Sequence, residues 1–148
     1  MVVLVTGGTG FLGRRVVYEL LERGHQLRLL VHTPGSERLF SHREVEVQYG
    51  SIRDPVALSS AFYDVDSVVH LVGVIRPKRR NSFEDIHREG TANVLAAAKE
   101  AGARHFLHVS VIGAANNQSY PYLYSKWQGE QEVVNGGIPY TIFRPSML

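Results

Sequence analysis

The 148-residue sequence contains no cysteine, which excludes disulfide scaffolds, iron–sulfur clusters, thiolate zinc sites and cysteine nucleophiles. An excess of one charge is missing as well: 16 Lys and Arg stand against 14 Asp and Glu, a formal net charge of +2. Apart from Arg76-Pro77-Lys78-Arg79-Arg80 the cations are scattered, so nucleic acid is not an expected partner. Long apolar runs are also absent. The longest, Val68 to Ile75, is interrupted by His70 and falls far short of the roughly 20 residues a membrane helix needs. The stretch Met1-Val2-Val3-Leu4-Val5-Thr6-Gly7 lacks the basic, apolar and small-residue order of a signal peptide, which leaves the cytoplasm as the expected location. What is present, 44% hydrophobic and 20% charged residues, suits one globular domain that builds its core without staples.

Short β-branched runs alternate with longer stretches of helical period, the pattern of βαβ units and a parallel sheet. Six strands are predicted, at Val2–Thr6, Gln26–Val31, Glu44–Tyr49, Ser67–Val72, His105–Ser110 and Tyr140–Phe143. Several are apolar on both faces, as strands covered by helices on each side should be. Leu12, Val16 and Leu20, with Val17 and Leu21, form a helical stripe closed by Gly24, and Asp54-Pro55 has the order of an N-cap and a first helical position. A third helix is predicted over Phe83 to Ala101 and a fourth from about Tyr122 to Val134. The fold class is therefore α/β, a doubly wound Rossmann sheet with the expected strand order 3-2-1-4-5-6.

Directly after the first strand comes Thr6-Gly7-Gly8-Thr9-Gly10-Phe11-Leu12-Gly13. Gly7 permits a tight turn, Gly10 lets backbone approach a pyrophosphate, and Gly13 lets the helix pack close to the sheet. Amides of the Thr9 to Gly13 stretch and the helix dipole would attract the anion, which makes the loop a dinucleotide site. Where a NAD-preferring site carries an acid, at the end of the second strand, this chain has Val31-His32-Thr33-Pro34. With no carboxylate to repel a 2′-phosphate, and Arg14 and Arg38 as possible donors, NADP(H) is favoured over NAD.

Tyr122 and Lys126 stand one helical turn apart and share a face. A lysine ammonium beside a tyrosine favours phenolate and can also hold a ribose, and Ser110, at a strand end where open sheets place ligands, could bond a reacting oxygen. Tyr120 and Tyr124 are off this spacing. His105 and His108 are three apart on a strand and point to opposite faces, so no metal site is expected.

The glycine loop resembles the fingerprint of the extended and atypical short-chain dehydrogenases/reductases. Val69-His70-Leu71-Val72-Gly73, His87-Arg88-Glu89-Gly90-Thr91-Ala92-Asn93-Val94, His108-Val109-Ser110-Val111-Ile112-Gly113-Ala114, Tyr122-Leu123-Tyr124-Ser125-Lys126-Trp127 and Thr141-Ile142-Phe143-Arg144-Pro145-Ser146 follow in that family's order. The likeness is strongest to the NAD-dependent epimerase/dehydratase-like branch that includes the NADPH-holding accessory subunit of respiratory complex I. It implies Ser110, Tyr122 and Lys126 as the catalytic set, and Leu71, Val72 and Gly73 beside the cofactor. It also implies an adenine contact after the third strand, where Ser51 replaces the family's usual acid and Ile52 keeps the apolar contact. His87 stands where many members have an Asn of the proton relay. It reads either as a titrating substitute or as a helix-surface histidine. Asp54 reads as a helix cap, Asn93 as a tie between its helix and a neighbouring strand, and Trp127 as packing. Arg76–Arg80 reads as a solvated loop or as a docking site for an anionic substrate or partner.

In the family a further strand and a smaller substrate domain follow the Arg-Pro-Ser motif. Residues 1–148 are thus expected to be the amino-terminal NAD(P)-binding domain of a longer protein, without the domain that selects a small-molecule substrate. Two functions follow from the resemblance: an NAD(P)-dependent oxidoreductase or nucleotide-sugar epimerase/dehydratase, or a non-catalytic NADPH-binding structural or redox-sensing protein. A homodimer or protein partner fits either.

Overall fold

The alternating runs fold as strands and helices in the predicted order in a computed structural model that describes residues 1–41 and 43–146. Strands β1 (Val2–Thr6), β2 (Gln26–Val31), β3 (Glu46–Tyr49), β4 (Ser67–His70), β5 (His105–Val109) and β6 (Tyr140–Phe143) form one parallel sheet of order β3-β2-β1-β4-β5-β6. Helices α1 (Phe11–Glu22), α2 (Pro55–Ala61), α3 (Thr91–Glu100) and α4 (Pro121–Asn135) connect them, with a 3₁₀ turn at Ser36–Phe40.

Alternate residues of each central strand enter different cores. Leu4, Leu30, Val68 and Phe106 pack with Leu58, Phe62, Val94, Leu95 and Val133 on one face. Val3, Val5, Leu29, Val31 and Val69 pack with Val17 and Phe40 on the other. The second layer thins towards β6: Leu107 and Thr141 are half-buried and Phe143 is exposed. The free edge of β6 has no partner strand among the described residues.

Four boundaries differ from the sequence reading, each for a local reason. The third strand begins at Glu46 rather than Glu44 because the Val45 amide turns back to the Arg43 carbonyl at 3.1 Å. The fourth ends at His70 rather than Val72: the Leu71 amide still donates to the Thr6 carbonyl at 3.0 Å, and the chain then leaves the sheet. The fifth ends one residue early, although the Ser110 amide still reaches the Phe143 carbonyl at 2.7 Å. The helix predicted over Phe83 to Ala101 is a π turn over Glu84–Gly90 running into α3.

Asp54 caps α2 as expected, its Oδ1 accepting from the amides of Val56 at 3.0 Å and Ala57 at 3.3 Å, with Pro55 at the first position. Asp54→Ala is therefore expected to cost about 1 kcal/mol, read as a lower denaturant midpoint with an unchanged slope. An unchanged midpoint would remove the cap from the list of stabilising contacts.

Candidate functional site

Chain direction reverses at β1: the path runs outward through β2 and β3, then returns to β4 on the other side. Ligands of doubly wound sheets bind in the crevice this leaves at the carboxyl ends of the strands. A cleft of about 350 Å³ opens there. Of the residues singled out in the sequence, it brings together Gly7, Thr9, Gly10, His32, Ser51, Ile52, Leu71, Val72 and Gly73. Thr6 and Thr33, which flank the quoted motifs, line it as well, and Leu30, Ser36, Gly50, Val74, Asn81 and Ile86 do so without having been named as site residues. Phe11, Leu12, Gly13, Arg14, Ser110, Tyr122 and Lys126 lie outside this lining. Arg14 and Arg38 are both exposed, and neither is a cleft wall.

The glycine loop is shaped by two contacts. Gly7 has φ +73°, and a Cβ there would sit 2.9 Å from the Leu71 carbonyl carbon and the Val72 amide nitrogen, so the turn and the loop after β4 touch backbone to backbone. Gly13 is tighter: its Cβ would fall 2.1 Å from the Gly7 carbonyl oxygen. Gly10 differs from both, with an ordinary extended conformation and only the Gly7 oxygen at 3.3 Å from a Cβ. As the N-cap of α1 it brings no side-chain oxygen to the helix start, so the first-turn amides at Phe11 and Leu12 are left to bind something else. An anion is the natural complement.

At the other end of the cleft, α4 carries Tyr122 and Lys126 over the end of β5. Lys126 is buried, and its Nζ donates to the Val109 carbonyl at 2.9 Å. Burial lowers its pKa to about 8 against the opposing pull of Glu130. A Cβ on Gly73 would lie 3.8 Å from that Nζ, so the buried ammonium stands in contact distance behind this cleft residue. Ser110 is 1% exposed, and its hydroxyl has no hydrogen-bond partner among the described residues. A buried orphan hydroxyl of this kind costs about 1–3 kcal/mol, a cost a bound oxygen would relieve. The Tyr122 ring meets Phe83 and His87 edge to face, with centroids 5.6 and 5.7 Å apart. Burial raises its pKa, so the side chain is held as a phenol. The expected shift towards phenolate is not found in this state.

His87 departs from both of its readings. It is 2% exposed, which excludes a surface histidine, and burial, then Lys126, lower its pKa to about 3, which excludes titration near neutrality. Its hydrogen bonds fix one tautomer. The Val74 amide donates to Nε2 at 3.0 Å, so the proton is on Nδ1 and goes to Ser125 Oγ at 2.8 Å; Ser125 then donates to the Tyr122 carbonyl at 2.7 Å. The imidazole thus ties the loop after β4 to the start of α4. Beneath it His70, bonded to Thr6 Oγ1 at 2.7 Å and Thr91 Oγ1 at 3.0 Å, stacks on His108 at 5.4 Å. Burial, then Lys126 and His87, lower the His70 pKa, so this layer is neutral. Asn93 ties α3 to the Ile52 carbonyl in the loop after β3, at 3.1 Å, rather than to a strand. Trp127 stacks on Tyr124 at 5.8 Å.

A glycine turn at the switch point, an uncapped helix start and an apolar cleft define a dinucleotide-binding domain. The profile of a family described as NAD(P)H-binding matches residues 7–148, and the chain belongs to that family. It is 33% identical over 144 residues to the ceramide reductase of Caulobacter vibrioides, covering 97% of this chain and 45% of that protein. The structure superposes with a TM-score of 0.80 at 28% identity on a short-chain dehydrogenase/reductase superfamily protein from Agrobacterium tumefaciens with bound NAD, covering 97% of this chain and 48% of that one. It superposes with a TM-score of 0.80 at 27% identity on Citrobacter triphenylmethane reductase complexed with NADP(H), covering 96% and 48%. The chain therefore spans about half the length of these relatives. Among the described residues no helix is long and apolar enough to cross a membrane.

Proposed function

We propose that this domain holds NADP(H) in the cleft between Gly7 and Gly73 and serves an NAD(P)-dependent oxidoreductase in which Ser110, Tyr122 and Lys126 act on the substrate oxygen. The observation that carries this reading is the pairing of a buried, orphaned Ser110 hydroxyl with a buried Lys126 ammonium behind Gly73. The dinucleotide, when bound, supplies or accepts the hydride. Ser110 donates a hydrogen bond to the substrate oxygen. Tyr122, a phenol at neutral pH, gives that oxygen its proton in the reducing direction and takes one back in the oxidising direction. Lys126 fixes the ribose and lends positive charge to the developing phenolate. His87, locked neutral, carries no proton in this scheme and sets where α4 begins relative to the cofactor loop.

Names of relatives give a direction for substrates. Two of the similar proteins are named as reductases, of ceramide and of triphenylmethane. In this chain Phe83 packs against Tyr122, and Ile75 and Ile112 are 81% and 65% exposed on the loops after β4 and β5. An apolar carbonyl compound is the substrate class these surfaces suit. Assay of the whole protein with NADPH and a panel of apolar ketones and aldehydes tests it. Tyr122→Phe is expected to lower kcat by at least 100-fold while leaving the dinucleotide Kd within about twofold. Full turnover in that variant would refute the role of the phenol.

A further inference from the structure

The basic segment after β4 is a built element. Lys78 and Asn81 exchange backbone hydrogen bonds, at 3.2 Å from the Lys78 amide and 2.9 Å from the Asn81 amide, so Arg79 and Arg80 form the tip of a two-residue hairpin. The Arg53 guanidinium donates to the Arg80 carbonyl and faces Asp85 at 3.7 Å. Asp85 and Ser82 cap each other, each side chain accepting the other's amide at 3.0 Å. The hairpin is thereby pinned to the loop after β3, and its last residue, Asn81, is a wall of the dinucleotide cleft.

Its side chains are not used by the fold. Arg76, Lys78, Arg79 and Arg80 are all exposed, and none takes part in an ion pair among the described residues. The nearest carboxylates in sequence are committed elsewhere, Glu84 to Arg88 and Asp85 to Arg53. Four unpaired cations therefore stand at the rim of a cleft whose ligand class is anionic. Inside the cleft the end of β2 offers only His32, Thr33 and Ser36, without a lysine or arginine in the lining.

We infer that the basic segment Arg76–Arg80, with Arg79 and Arg80 at the hairpin tip, is an electrostatic collector for the dinucleotide, favouring NADP(H) over NAD(H) through the rate of association rather than through a 2′-phosphate pocket. The inference rests on dinucleotide binding in this cleft. Clustered charge of one sign beside a low-dielectric cleft raises the local concentration of the opposite charge. The 2′-phosphate adds about −1.5 to −2 charge at neutral pH, so NADP(H) is drawn more strongly than NAD(H). The hairpin cations act before docking and lose their influence once salt shortens the Debye length.

Stopped-flow nicotinamide fluorescence with NADPH and NADH tests this in the Lys78→Gln/Arg79→Gln/Arg80→Gln variant. The control is Arg23→Gln/Lys99→Gln/Arg104→Gln, which removes the same charge from the amino-terminal end of the sheet. At low ionic strength the hairpin variant is expected to associate with NADPH about tenfold more slowly, and with NADH distinctly less so. Dissociation rates should be unchanged, and the difference should vanish in about 0.5 M salt. An equal slowing in the control would make net charge the cause and overturn the proposal. So would a loss located in the dissociation rate, which would mean direct contact, or loss of binding to phosphatidylserine vesicles with association intact, which would mean a lipid-docking element. Failure of the unmodified chain to bind either dinucleotide would instead refute the proposed function itself.

Discussion

Gly10→Val is expected to abolish dinucleotide binding and leave the fold standing, whereas Gly13→Ala, a smaller change three residues on, is expected to lower stability by roughly 3 kcal/mol or more. The difference lies in what a Cβ would meet. At Gly10 the backbone is extended, with φ −74° and ψ 179°, and the only neighbour is the Gly7 oxygen at 3.3 Å. A valine fits that conformation and costs the helix start about 1 kcal/mol, but its methyl groups occupy the approach to the uncapped amides. At Gly13 the added carbon would lie 2.1 Å from the Gly7 oxygen and 2.7 Å from the Gly8 Cα, all rigid backbone. Helix α1 must then move off the loop, with a cost of roughly 3 kcal/mol or more for overpacking at an unyielding contact. That is a large share of the roughly 5–15 kcal/mol typical of a domain. Denaturant unfolding and NADPH fluorescence titration of both variants give the answer. Unchanged affinity in Gly10→Val, or an unchanged midpoint in Gly13→Ala, would show that the loop does not work in this way.

The parts of this molecule that were legible in its sequence are those set by local periodicity. Strand order followed from the alternation of runs, and the cleft residues at Gly7, Gly10, Ile52 and Gly73 followed from glycine spacing and family order. What was missed comes from contacts between segments distant in sequence. Asn81 and Ile86 line the cleft from the segment after β4, and Arg53 in the loop after β3 bonds the Arg80 carbonyl 27 residues away. Burial of His87 had a signal: His87, Thr91, Val94 and Ala98 are spaced i, i+4, i+7, i+11, and all four are buried. The sequence left His87 as either a titrating relay substitute or a surface histidine, and neither reading used that stripe. Its reason for being inside, Val74 on one nitrogen and Ser125 on the other, is visible only when the loop after β4 and α4 meet. Gly129 permits that meeting, since a Cβ there would come 2.4 Å from the His87 carbonyl oxygen.

Lys126→Met should separate stability from binding, leaving the first level or slightly higher and lowering the second. The ammonium is buried with a single carbonyl as its hydrogen-bond partner, while the adjacent carboxylate of Glu130 is taken by Arg144 at 2.8 and 2.5 Å. A pKa lowered from 10.5 to about 8 means the folded state disfavours the charged form by on the order of 3 kcal/mol. Replacement by an apolar chain of similar length removes that cost and loses one charge-assisted hydrogen bond of about 1.5–3 kcal/mol, so a net change between zero and a gain of about 1.5 kcal/mol is expected at pH 7. The direction with pH is fixed by the same shift. Below about pH 8 both states hold the proton and the cost is present in full. Between about 8 and 10.5 the unfolded chain keeps the proton that the folded chain has lost, so stability of the unmodified protein rises with pH and the advantage of the methionine variant over lysine shrinks. Affinity moves the other way. An ammonium that bonds the ribose contributes about 1.5–3 kcal/mol, so Lys126→Met should weaken NADPH binding by roughly 10- to 100-fold, and binding to the unmodified protein should decline as pH passes about 8. A variant that is less stable at pH 7, or that binds NADPH as well as the unmodified chain, would show that Lys126 is a structural cation and has no place at the cofactor.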